Sequence, residues 1–94
     1  MKKIAFTIGL SLASTALYAG SCDVTVTWPS GKPHSGARVT GEVNMGGMTD
    51  PTYTDKHGHA TIVWSSKHSL ASVFVNGNRH GGCRNGGSIH VVED

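Results

Sequence analysis

From Cys22 to Trp28 the chain alternates without a break, with Cys22, Val24, Val26 and Trp28 on one side and Asp23, Thr25 and Thr27 on the other. A period of two marks a β-strand with one buried face and one wet face. The same pattern returns along the chain. Ala37, Val39 and Val43 form the buried set of a strand from Ala37 to about Asn44, in which Gly41 marks a bulge or bend. Thr52-Tyr-Thr54 is a short strand, and His59–Trp64 alternates with Ala60, Ile62 and Trp64 inward. Ala71, Val73 and Val75 make the next set, and Ile89 and Val91 belong to a last strand from Ser88 to about Glu93. Between these runs stand Pro29-Ser-Gly-Lys-Pro33, Asp55-Lys-His-Gly58 and Asn76-Gly77-Asn78, all compositions that turn a chain. Beyond the N-terminal stretch no segment shows helical periodicity. Six or seven short antiparallel strands, each with one apolar face, close most simply as a β-sandwich.

The N-terminal stretch Met1–Ala19 has the make-up of a secretory leader. Lys2 and Lys3 precede an apolar run from about Ile4 to Ala13, and small residues lead to a cut after Ala19. The run is about ten residues, short of the roughly 20 that cross a bilayer as a helix. This predicts a signal peptide over 1–19, a single β-sandwich domain over 20–94, and a periplasmic or secreted product with no membrane span after cleavage. About 75 residues bury little apolar surface, and domains of that size generally need a staple. Cys22 and Cys83 are the only cysteines, and export would place them where disulfides persist. Their bond would close a loop of about 60 residues, worth about 4 kcal/mol by chain entropy. Acylation of Cys22 is the alternative, but Ala19-Gly20-Ser21 lacks the bulky aliphatic residue that lipidation wants. Free thiols binding a metal are a second alternative, and no Cys-x-x-Cys favours it. The whole chain has eight Lys and Arg against six Asp and Glu, and losing Lys2 and Lys3 with the leader brings the two into balance. With no basic excess and no basic run, nucleic acid is not an expected partner.

The segment Val24-Thr-Val-Thr-Trp-Pro-Ser-Gly-Lys-Pro-His-Ser-Gly-Ala-Arg-Val39 resembles the opening of carboxypeptidase-regulatory-like domains, within the transthyretin-like (prealbumin-like) group. That group has a strand followed by Gly-x-Pro-x-x-Gly-Ala-x-Val, matched here by Gly31, Pro33, Gly36, Ala37 and Val39. Thr54, Asp55, Gly58, Ala60 and Ile62 are similar to its Thr-Asp-x-x-Gly-x-Ala-x-Ile element, and Val73-Phe-Val75 with Asn76-Gly77 to its later strand and turn. The resemblance implies an immunoglobulin-like or transthyretin-like sandwich over most of residues 20–94. It implies little about function, because such folds host many. The hydroxyisourate hydrolases of the group carry a first-strand histidine and end in Tyr-Arg-Gly-Ser. Here Val24, Thr25 and Val26 occupy the first strand, and the chain ends Ser88-Ile-His-Val-Val-Glu-Asp94. Related pilin and adhesin repeats form a Lys–Asn isopeptide bond from a first-strand lysine, and none lies between Cys22 and Pro29.

Chemistry-bearing residues point in two directions. Six histidines, His34, His57, His59, His68, His80 and His90, are many for so small a domain. The tight pair His57 and His59, joined by Met45 and Met48, is the candidate metal set, with copper or zinc as the ion. Against it, loop histidines such as His34, His57, His68 and His80 are usually just solvated, and the methionines usually pack. Catalytic signals are thinner. No nucleophile elbow is present, and Gly81-Gly82-Cys83-Arg84-Asn85-Gly86-Gly87 lacks the Lys-Ser/Thr of a phosphate loop. The chain is therefore expected not to be an enzyme, with a small hydrolase as the third possibility. Phe74 should point away from the core if Val73 and Val75 point in, and Tyr53 lies in a short edge strand. With Arg79, His80 and Arg84 these form the candidate partner surface. The expected function is non-catalytic binding of a protein or cell-envelope component, with metal binding as the alternative.

Overall fold

The computed structural model describes residues 19–94, so the expected leader lies outside the described residues except for Ala19. Among the described residues there are seven strands and no helix: β1 (Gly20–Thr27), β2 (Arg38–Val43), β3 (Thr52–Tyr53), β4 (His59–Trp64), β5 (Leu70–Val75), β6 (Asn78–Arg79) and β7 (Gly87–Val92). They lie in two sheets, β4-β1-β7 and β3-β2-β5-β6. Alternation decides what lies between them. Cys22, Val24 and Val26 of β1, Ala60, Ile62 and Trp64 of β4, and Val91 of β7 meet Val39 and Val43 of β2 and Leu70, Val73 and Val75 of β5. The all-β sandwich with six or seven strands and one disulfide is therefore what the chain forms.

Cys22 and Cys83 are bonded to each other, with Cα atoms 6.3 Å apart and both residues buried. Cys83 also exchanges backbone hydrogen bonds with Leu70, 2.9 and 3.1 Å, so the bridge links β1 of one sheet to β5 of the other. It leaves no cysteine thiol free for acylation or for a metal.

One pairing departs from the antiparallel expectation. β7 runs parallel to β1, from Cys22↔Gly87 to Thr27↔Val92, while every other strand pair is antiparallel. The cause lies at the tied end. The disulfide and the Gly86 N–H bond to Ser21 C=O (2.7 Å) deliver the chain to the start of β1, so β7 can only follow β1 in the same direction. Strand parity is the same in both directions, so Val91 still points inward.

Trp28 also departs. β1 stops at Thr27, because Trp28 N–H turns to Lys32 C=O (2.9 Å) and Gly31 N–H to Trp28 C=O (2.8 Å). The indole leaves the core face, is 41 % exposed, and stacks on His34 with ring centroids 3.7 Å apart. The bulge of β2 falls between Glu42 and Val43 rather than at Gly41. Gly41 instead permits a close approach, since a Cβ there would lie 2.9 Å from both Leu70 methyls. The turn predicted at Asn76-Gly77-Asn78 leads directly into a further short strand, β6. Asn76 and Gly77 take φ of 51° and 86°, the left-handed pair that suits a two-residue hairpin, and return the chain as Val75↔Asn78 and Phe74↔Arg79.

Candidate functional site

With Val39, Val73 and Val75 committed to the core, their neighbours must face outward from the four-stranded sheet. The register sets Tyr53 opposite Arg38, Thr40 opposite Phe74, Phe74 opposite Arg79, and Glu42 opposite Ser72. Directly opposed residues share a face, so these seven form one surface across four strands. Arg79 lies flat on it. Its Nη1 donates to Ser72 Oγ (3.1 Å), its Nη2 is 3.8 Å from a Glu42 carboxylate oxygen, and its guanidinium carbon is 5.3 Å from the Phe74 ring centroid. The Arg79–Glu42 pair is exposed and adds little stability. Its consequence is geometric: the guanidinium is held over an aromatic ring instead of sweeping through solvent. Thr40 and Ser72 are buried although they face outward, whereas Tyr53 is 58 % exposed. Arg38 is exposed beside Tyr53, its N–H held by Asn76 Oδ1 at 2.9 Å.

The structure thus brings Tyr53, Phe74 and Arg79 of the candidate partner surface together and adds Arg38, which sequence reasoning missed. The signal was there: Arg38 precedes inward Val39, so parity sends it outward. The other two members lie elsewhere. Arg84 follows Cys83, which pairs with Leu70 at the start of β5, four residues or about 14 Å of strand from Phe74. His80 is half-buried, and its Nε2 lies 2.7 Å from Glu93 Oε1.

Glu93 is the centre of a clamp that closes the end of the sandwich. Its Oε2 accepts from Asn78 Nδ2 (2.6 Å), its N–H donates to Thr27 C=O (2.9 Å), and its C=O lies 2.9 Å from His34 Nδ1. The His80 contact, followed by the Asn78 amide, holds the Glu93 carboxyl below its ordinary range against the opposing effect of burial. His34, expected to be solvated, is buried under Trp28 for this reason.

The candidate metal set is not assembled. Asp55 Oδ1 accepts the N–H groups of His57 (2.8 Å) and His59 (3.0 Å), which tightens the turn into β4 and lowers the Asp55 pKa through those backbone bonds, that of His59 foremost. His59 Nε2 lies 3.8 Å from Asp23. Met48, however, lines a hollow with Trp64, at the other end of β4, five residues or about 17 Å from His59. A shared ion would need ligands within a few ångströms of it, so His57 and His59 do not join Met45 and Met48. Among the described residues no three side chains of His, Cys, Asp and Glu gather to hold a metal. Two adjoining hollows, about 180 and 270 Å³, share Met48, Thr49, Trp64 and Ser65. Both are smaller than the usual ligand pocket of about 300 Å³ or more.

Among the described residues no helix is long and apolar enough to cross a membrane. No protein-family model, curated protein or solved structure matches the chain. The fold and its surfaces define the molecule at the level of a disulfide-bonded all-β sandwich.

Proposed function

We propose that this is an exported, non-catalytic binding domain of the carboxypeptidase-regulatory-like, transthyretin-like kind, which engages a protein or cell-envelope component through the outer face of its four-stranded sheet. The observation that carries the proposal is the grouping of Tyr53, Arg38, Phe74 and Arg79 on one exposed face. Tyrosine and arginine dominate binding hot spots because they combine large contact area with directed hydrogen bonding. Two guanidiniums against the single carboxylate of Glu42 favour a partner that presents carboxylates, which arginine can grip at two points.

The conformation and burial of the motif residues support this reading. Gly31, Gly36 and Gly58 have φ of 91°, 74° and 75°, and Ala37, Val39, Ala60 and Ile62 are buried. Thr54 Oγ1 donates to His34 C=O (2.6 Å) and accepts from Ala37 N–H (2.9 Å), stitching the two motif segments together. A buried disulfide fits an oxidising compartment, as the composition of the leader does.

The test is capture. Oxidised protein beginning at Gly20 is immobilised and presented with envelope extracts, and the retained partner is then titrated against variants. Tyr53→Ala and Arg38→Ala should each weaken binding by about tenfold or more while the melting curve stays put. Unchanged affinity in the double variant would remove this face from the function.

A further inference from the structure

Met45 is the most exposed large apolar side chain among the described residues, at 94 %. Its backbone is unusual as well. It occupies the third position of the turn Val43–Gly46, closed by Gly46 N–H to Val43 C=O (3.0 Å), with φ of 58°. That position belongs to Gly or Asn, and Asn44, Gly46 and Gly47 are all adjacent, yet a methionine holds it. A thioether held in water on a strained backbone has no packing explanation, and such outliers concentrate at functional positions.

The register shows what stands beside it. β2 and β5 pair as Val43↔Leu70, and Asn44 N–H to Ser69 C=O (3.0 Å) carries the pairing one residue further. The next residues on the two chains are Met45 and His68, both exposed. Met48 returns on the other side of β2, opposite Glu42, and borders the hollow floored by Trp64. The Trp64 indole N–H in turn donates to His68 C=O (2.8 Å), fixing the 65–69 loop to that hollow. Two thioethers and one imidazole are thus placed by the register at one end of the sandwich, opposite the end that carries His57.

We propose that Met45, Met48 and His68 bind a single soft monovalent ion, Cu(I). Neutral thioethers discriminate by softness, accepting Cu(I) or its analogue Ag(I) while leaving harder divalent ions to oxygen and nitrogen donors. The Gly46-Gly47 pair between the methionines gives the turn freedom to close both sulfurs on the ion, with the imidazole as the third donor from the facing loop. This site is independent of the sheet surface proposed above.

Ag(I), which needs no reductant, is the probe. The oxidised domain after leader removal has only two methionines, Met45 and Met48, so an ε-methyl spectrum holds two signals and reports folding at the same time. One equivalent of Ag(I) should shift both signals and be retained in native mass spectrometry, and Cu(I) under ascorbate should displace it. Met45→Leu, Met48→Leu and His68→Ala should each weaken retention by about tenfold or more, with His57→Ala and His59→Ala unchanged. No retained ion, retention by a folded Met45→Leu/Met48→Leu variant, or loss through His57→Ala or His59→Ala would each overturn the assignment.

Discussion

Glu93 shows how a single carboxylate can govern a small domain's response to acid. Its folded pKa is depressed, chiefly by His80 and then by Asn78. The stabilisation is therefore fully present above the ordinary value of 4.5 and is lost as the pH falls through the lowered folded value. Glu93→Gln should flatten that acid limb and leave the other carboxylates' contribution, which melting curves between about pH 2 and 7 would reveal. At neutral pH, Glu93→Ala removes charge-assisted bonds worth about 1.5–3 kcal/mol in such settings, and urea unfolding should shift accordingly. An acid limb of the same shape in Glu93→Gln would show that the clamp does not link protonation to folding. The clamp also explains why His34 and Trp28 defied expectation. Both sit at the end of β1, where a partner from the last residues of the chain, 59 positions from His34, decides their fate.

At the scale of the strand, turn and register carry the specificity. Gly58 combines a φ of 75° with a backbone approach so tight that a Cβ would run into Val26 C=O. Gly58→Ala should thus destabilise by more than the roughly 1 kcal/mol of the conformation alone, because backbone cannot step aside as a side chain can. Gly41→Ala meets only Leu70 methyls at 2.9 Å, and repacking should hold its cost to about 1–3 kcal/mol. Urea midpoints for the two variants would rank them, and a milder effect at Gly58 would contradict the backbone argument. These elements also show how far the chain could be read in advance. Alternation placed β1, β2, β4, β5 and β7 and most of their core residues, because a period of two registers burial directly. At β5 strict alternation sends Ala71 inward with Val73 and Val75, but the bulge opposite, between Glu42 and Val43, shifts the register, so Ala71 is exposed and Leu70 is buried instead. β6 was invisible, since Asn78 and Arg79 have no apolar member to alternate. The direction of β7 was equally hidden, because parity is blind to direction. In the candidate surface, Phe74 followed from parity and Arg38 could have. The metal set failed for the opposite reason: nearness in sequence put His57 and His59 with Met45 and Met48, whereas the register puts His68, not His57 or His59, at the end of the sandwich where Met45 lies.

At the scale of the whole molecule, the two sheets share a modest core of mostly valine-sized side chains, and Ile62 and Val24 lead the fully buried residues in size. Such a core supplies limited hydrophobic stabilisation, and the sequence separation of 61 makes the Cys22–Cys83 bond a large constraint on the unfolded chain. Loop entropy sets its contribution at about 4 kcal/mol, against a typical domain stability of about 5–15 kcal/mol. The bond further joins β1 to the Leu70 end of β5 and delivers β7 to its parallel place, so losing it loosens both sheets at one end. Reduction, or the paired change Cys22→Ala and Cys83→Ala, should remove a large share of the margin, about 4 kcal/mol, and lower the urea midpoint steeply. It should also expose amides of β7 to hydrogen exchange before those of β2 and β5, which keep their own pairing. A reduced domain that unfolds at nearly the oxidised midpoint would mean that the hydrophobic core suffices alone. The chain would then have no physical need of an oxidising compartment, and the argument for export would rest on Met1–Ala19 alone.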